Sequence, residues 1–191
     1  MKILWTGTDA LMMHDISKRK LRKKPFWLVL RLVMKFLDRV YVENHFVNAW
    51  WIRQELEKAG FKRPIEIMLT PLKYKTPLIK REHEGVNVMY YKPPRKDLKW
   101  RDWLYGIDLI EKLKEEYKDK VKFIEVDQSY DMEWVFPDID LYIRPNRHDG
   151  YSRLIRECEI QEIPYYWSHE NPDYDEMKKK LDEVIENCRK V

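Results

Sequence analysis

The sequence predicts an α/β fold: a mostly parallel sheet with helices on both faces. Two observations carry that prediction. Short apolar runs of strand length alternate with helical patterns along the whole chain, an order that favours parallel strands joined by covering helices. The stretch from Asp140 to Gly150, leading into Tyr151–Glu157, reads as a buried strand, a polar loop with one glycine and a helix start. The run Pro164–Ser168 follows it as a second strand. Such a βαβ unit places ligands beyond the carboxyl ends of its strands. With 44% hydrophobic and 14% aromatic residues among 191, the chain has material for a substantial core.

The elements follow in order. Lys2–Trp5 is a strand ending in the loop Thr6–Asp9. Phe26–Leu37 is a helix, with Pro25 suited to its first turn. Arg39–Glu43, carrying Val40 and Val42, is expected to be a short strand. Val47, Trp50, Trp51, Leu56 and Ala59 mark a helix that Gly60 stops. Ile65–Leu69 is a strand, and residues 70–84, with Pro71 and Pro77 and no clear period, are a linker. Val86–Tyr91 is a strand closed by Pro93-Pro94. Ile107, Ile110, Leu113 and Tyr117 share a helix face, Val121–Val126 is a strand, and Met132–Phe136 is a short helix before the strand Asp140–Arg144. Met177, Leu181, Val184, Ile185 and Cys188 share one face of the last helix.

Charge is informative through its distribution. Lys and Arg number 37 against 33 Asp and Glu, but six of the seven residues 18–24 are basic (Lys18, Arg19, Lys20, Arg22, Lys23, Lys24). With Phe26 and Trp27 just beyond, this run suits an anionic membrane surface. The alternatives are a core helix behind a solvated loop, or phosphate contacts to a nucleic acid, for which no recognised motif accompanies the run. The apolar stretch from Phe26 to Leu37 would span about 18 Å as a helix, short of a bilayer core of roughly 30 Å, and it contains Arg31 and Lys35. No secretory signal is visible. The two cysteines, Cys158 and Cys188, read as buried thiols of a reducing cytoplasm. Localisation is expected to be cytoplasmic, peripheral on the inner face of the membrane. Abundant Lys and Glu with five Gly fit a heat-adapted source.

Asp149 and Glu157 lie eight positions apart, which places them at the mouth and on the second turn of one predicted helix. Free amides at a helix start favour a phosphate, so the pattern suits a nucleotide diphosphate carrying a sugar. The plainer alternative is a helix cap followed by a solvated carboxylate. Arg153 and Arg156 can add bidentate phosphate contacts. His148 can hydrogen-bond a sugar or phosphate. Asp9 and His14, after the first strand, can serve as a general base toward an acceptor hydroxyl.

These residues resemble the C-terminal half of glycosyltransferases of the GT-B fold, in particular the large family 4 of retaining enzymes. There a strand ending in Pro leads to an acidic residue and a small Gly-containing loop. Seven residues separate the first acid from a helix Glu, and a "G-I-P-V-I" strand follows. Here Arg144-Pro145, Asp149, Gly150, Glu157 and Glu162-Ile163-Pro164-Tyr165-Tyr166 hold those places. Leu37–Asn44 is similar to the "A-D-x-V-I-x-x-S" strand that closes the family's N-terminal domain.

The resemblance implies a Rossmann-like GT-B architecture. Its expected parts are a reduced N-terminal acceptor-side domain at 1–72, a donor-binding domain at 73–172, and a C-terminal helix at 173–191 packing back. It implies a glycosyltransferase using a UDP- or GDP-sugar and an unknown glycan, lipid or protein acceptor, with no cofactor and no metal. Glu157 would contact the ribose, while Asp149 and the Gly150 loop would lie against the donor sugar and diphosphate. Asp149 stands where Glu is usual, and the glycine-rich acceptor loop is missing. The basic residues that grip the diphosphate are out of register, leaving Arg95, Lys99 and Arg101 as candidates. A donor-binding subunit completed by a partner chain or a second copy, and a peripheral membrane or nucleic-acid interaction protein, are the alternatives.

Overall fold

The computed structural model of the protein describes residues 2–5, 24–92 and 99–189. They form two compact units, one comprising 1–71 with 149–151, the other 72–148 with 152–191.

The first unit holds three parallel strands in the order β1 (Lys2–Trp5), β2 (Asn44–Val47) and β3 (Ile65–Ile67). Helix α1 (Lys24–Val40) links β1 to β2, and α2 (Trp50–Ala59) links β2 to β3. Ile52, Leu56 and Ala59 of α2 pack with Trp5, Val47 and Phe61 in one core. Gly60 ends α2 at φ 87°, a left-handed turn that an L side chain resists. Behind it the Phe61 N–H returns to the Leu56 carbonyl at 3.2 Å. A buried polar chain braces this unit. Trp5 Nε1 donates to His45 Nδ1 at 3.1 Å, and His45 Nε2 lies 2.8 Å from Asp38 Oδ1. Because indole N–H can only donate, the His45 hydrogen sits on Nε2 and points at Asp38. The same carboxylate accepts the Lys62 and Arg63 backbone N–H groups at 2.9 and 3.1 Å.

The second unit holds four parallel strands in the order β5-β4-β6-β7, with β4 Val86–Tyr91, β5 Val121–Val126, β6 Leu141–Pro145 and β7 Tyr165–Ser168. The helices are α3 (Lys99–Leu104), α4 (Ile107–Tyr117), α5 (Met132–Val135), α6 (Arg153–Ile160) and α7 (Tyr174–Cys188). Val86, Val88 and Tyr90 of β4, with Leu141 and Ile143 of β6, face the buried stripes of α4 and α7. Alternation turns Met89 and Tyr142, both fully buried, to the opposite face. The right-handed rule for parallel crossovers assigns α5 and α6 to that face. The chain runs from β4 outward to β5, then back across to β6. The topological switch point therefore lies between β4 and β6.

Three expectations are corrected. Residues 39–43 are not a strand: α1 runs on to Val40 and closes with the Val42 N–H on the Leu37 carbonyl at 3.0 Å. The β-branched residues there suggested a strand, but Asp38, buried against His45 and the Lys62 and Arg63 amides, lies in the last turn of the helix, and 41–43 form the turn that leaves it. Val47 accordingly belongs to β2 rather than to α2. Asp149 and Glu157 do not share a helix either. α6 begins after Ser152, while Asp149–Tyr151 group with the first unit. There Trp51 Nε1 donates to the Asp149 carbonyl at 2.6 Å and Tyr151 packs on the core. Finally, Cys158 is buried but Cys188 is exposed, because it lies in the last turn of α7, beyond the buried stripe.

Candidate functional site

A cleft of about 270 Å³ in the second unit is lined by Lys73, Tyr74, Ser129, Tyr130, Asp131, Met132, Arg153 and Glu157. Residues 129–131 form the loop that leaves the carboxyl end of β5, and Arg153 and Glu157 lie on the helix that follows β6, so the cleft sits where α/β sheets bind ligands. The loop is shaped by its own polar groups. Asp127 Oδ1 accepts from Ser129 N and Oγ at 2.8 and 2.6 Å. Asp131 caps α5 through the Glu133 N–H and takes Lys73 Nζ at 2.9 Å. That Lys73 bond holds the Asp131 carboxyl below its ordinary pKa. Tyr74 is buried edge-on to Phe136. Burial, the main cause, pushes its phenol up.

Glu157 is the unusual member. It is 1% exposed, and neither carboxylate oxygen has a hydrogen-bond partner. The compensating charge is Arg153, one turn earlier on α6, whose Nε lies 3.4 Å from Oε1 while half its side chain stands in water. A buried carboxylate without donors is costly. Its persistence beside an open cleft suits a group that hydroxyl donors of a ligand complete.

A second feature lies at the switch point. The Arg144 guanidinium, at the carboxyl end of β6, sits 5.5 Å from the Tyr91 ring and 5.7 Å from the Tyr105 ring. Burial raises the Tyr91 pKa, and the neighbouring Tyr105 raises it further, against the opposing pull of Arg144 and Arg101. Arg147, in the loop after β6, is committed to structure. It forms a two-pronged ion pair with Asp108, 2.7 Å on each prong, and this bond holds the Asp108 carboxyl low. α6 starts without a side-chain cap, so its first-turn N–H groups are left for solvent or an anion.

Among the predicted site residues, Glu157 and Arg153 come together in the cleft. His148 is buried in the loop after β6, and Arg101 is half-buried on α3. Asp149 and Gly150 group with the first unit, where a Cβ on Gly150 would meet the Asn48 side chain at 2.3 Å. The Asp149 carboxylate there accepts the Gly150 N–H at 2.9 Å. Lys99 opens α3, and its side chain lies outside the described residues, as do Asp9, His14 and Arg95. Lys18, Arg19, Lys20, Arg22 and Lys23 also lie outside them, as do the side chains of Lys24 and Trp27. Sequence reasoning missed Lys73, Tyr74, Tyr130 and Arg144. The last two carried a usable signal, standing at or just beyond the carboxyl ends of predicted strands. Lys73 and Tyr74 come from the linker and carried none. Among the described residues, no cluster of three His, Cys, Asp or Glu side chains could hold a metal ion.

No protein-family model and no curated protein matches the sequence. Among solved structures, the chain is similar to TarM at 11% identity, covering 98% of this chain and 44% of that one with a TM-score of 0.55. It is also similar to the apo form of WaaB, a lipopolysaccharide outer core galactosyltransferase. That match has 12% identity, covers 92% and 58% of the two chains, and has a TM-score of 0.48. The chain thus spans about half the length of these structures. At such identity the likeness concerns the fold alone, and the chain has the Rossmann-like GT-B fold of glycosyltransferases in a reduced form.

Proposed function

We propose that the protein is a glycosyltransferase that takes its sugar from a nucleotide-diphospho-sugar. The observation that carries this reading is Glu157, a buried carboxylate whose oxygens have no hydrogen-bond partner and whose counter-charge is the half-exposed Arg153, lining a cleft at the carboxyl edge of the sheet. Two adjacent ribose hydroxyls would satisfy both oxygens with charge-assisted hydrogen bonds. Tyr130, in the β5 loop of the same cleft, offers a ring for the base. The diphosphate would lie toward the uncapped start of α6, beside Arg153 and His148. Transfer breaks the bond between the anomeric carbon and the β-phosphate oxygen and forms one to the acceptor oxygen, whose proton is released. The leaving diphosphate gains charge, so fixed amides and cations aimed at it lower the barrier. Asp149 is assigned to the donor sugar through the family resemblance, and Asp9 to the acceptor from its place after the first strand.

A further reading is a donor-binding subunit completed by a partner chain. Calorimetry with UDP, GDP and their sugar conjugates, paired with a donor-hydrolysis assay, tests both. Binding with turnover supports the transferase. Binding without turnover, restored by a partner, supports the subunit. If none of these nucleotides binds, both readings fail.

A further inference from the structure

We propose that the outer face of α1 seats on an anionic lipid bilayer. The helix packs inward through Leu30 and Met34 on the core of the first unit. Phe26, Val29, Val33, Phe36 and Val40 recur at spacings of three and four and are 46–62% exposed, so they form one continuous stripe along roughly 22 Å of helix. Leu28 and Leu32, also exposed, widen it. Single exposed apolar side chains are ordinary, but seven on one helix are not.

Charge identifies the occupant. Arg31, Lys35 and Arg39, four residues apart, run as a basic rail along the border of the stripe beside Leu28 and Leu32. Burial and then the nearby Arg31, Arg39 and Lys62 push the Lys35 ammonium below its ordinary pKa, which marks a gathering of positive charge. The helix has one acidic residue, Asp38, and it points inward to His45 and the amides of Lys62 and Arg63. By sequence, the basic run Lys18–Lys24 leads directly into the helix.

A second copy docked on this stripe would bring two such basic sets together, whereas anionic headgroups neutralise them. Among the described residues no helix is long and apolar enough to cross a membrane, so α1 would lie in the interface plane, its apolar face sunk to the headgroup boundary. Arg31 donates to the Ala59 carbonyl at 3.2 Å and Lys35 is partly buried, so the exposed Arg39 is the member whose stem would reach up to the phosphates, with the other two adding positive charge behind it.

Co-sedimentation of the full chain with vesicles tests this, using phosphatidylcholine alone and phosphatidylcholine mixed with phosphatidylglycerol. The wild type is expected to bind the mixed vesicles, less so at high salt, and to leave the neutral ones. V29S/V33S/F36S should bind the mixed vesicles roughly tenfold less or weaker still, with unchanged circular dichroism and melting temperature. K35Q/R39Q should lose the preference for anionic lipid. Should the triple variant melt early, F36S and V33S singly replace it. Wild type that ignores mixed vesicles, or variants that bind as it does, overturns the proposal. So does a wild-type dimer that V29S/V33S/F36S converts to monomer without any vesicle binding by the wild type. No nucleotide sugar enters the assay, so its failure leaves the donor-binding reading untouched.

Discussion

Replacing Glu157 with glutamine separates a ligand-binding carboxylate from a structural one. The side chain is 1% exposed, and its counter-charge is Arg153, with Nε 3.4 Å from Oε1. At an effective dielectric of about 20 that attraction is ~5 kcal/mol, reduced because the Arg153 side chain is 52% exposed. Against it stands a penalty of several kcal/mol for taking a carboxylate out of water. The two roughly cancel, leaving two oxygens without donors. Glutamine keeps the shape and removes the charge, so the free protein should gain about 1 kcal/mol. For a chain of this size that raises the melting temperature by roughly 2–4 °C.

Nucleotide binding should move the other way. Losing charge-assisted bonds to the ribose costs about 1.5–3 kcal/mol, roughly tenfold to a hundredfold in affinity. Thermal melts with and without excess UDP or GDP, followed by calorimetry, read both arms. In the wild type, nucleotide at about 100 times Kd should add ~2.7 kcal/mol of stability, and E157Q should lose most of that gain. A variant that melts lower yet binds nucleotide as the wild type does would show that Glu157 merely braces α6, and the proposed site would fall.

Other outcomes follow from the packing. Asp38→Ala should cost about 3–5 kcal/mol in urea unfolding, because it strands the His45 N–H and two backbone amides inside the first unit. Burial raises the Asp38 pKa, but the His45, Lys62 and Arg63 bonds outweigh it and hold the group below its ordinary value. A depressed carboxylate stabilises fully above its unfolded pKa, near 3.9. Wild-type stability should therefore fall as pH drops through that value toward the lowered one, and Asp38→Asn should flatten the decline. Gly106→Ala should cost about 3 kcal/mol or more, since its Cβ would stand 2.2 Å from the Pro145 carbonyl oxygen at a φ of +66°. Gly85→Ala, with similar φ but open space around it, should cost only about 1 kcal/mol, and the difference in urea midpoints checks both. In a thiol-titration assay one cysteine should react in the native protein and two in denaturant. Burial shields Cys158 and raises its pKa, and although burial also raises that of Cys188, its thiol is exposed.

Much of the fold could be read directly from residue patterns. Val86–Tyr91 and Val121–Val126 are strands with the expected bounds, because both are rich in β-branched and aromatic residues. The stripe Ile107, Ile110, Leu113, Tyr117 lies buried on α4 as its period requires. Gly60 stops α2 because the left-handed turn there suits glycine alone. Glu157 was singled out by its spacing from Asp149 and by the family resemblance, and it lines the cleft with Arg153. What local pattern misjudged was decided by contacts distant in sequence. The stretch 39–43 has strand-forming residues, yet the helix runs to Val40 and a turn follows, with Asp38 in the last helical turn finding its donors at His45, Lys62 and Arg63. Asp149 reads as a helix mouth, but a hydrogen bond from Trp51, 98 residues earlier, holds its carbonyl in the first unit. The cleft itself takes Lys73 and Tyr74 from the linker, Tyr130 from one strand end and Arg153 from the next helix. Periodicity records which face of an element is buried. Which residues meet across a cavity, and whether a carboxylate there finds donors, depends on how separate elements pack, and that information exists only in three dimensions.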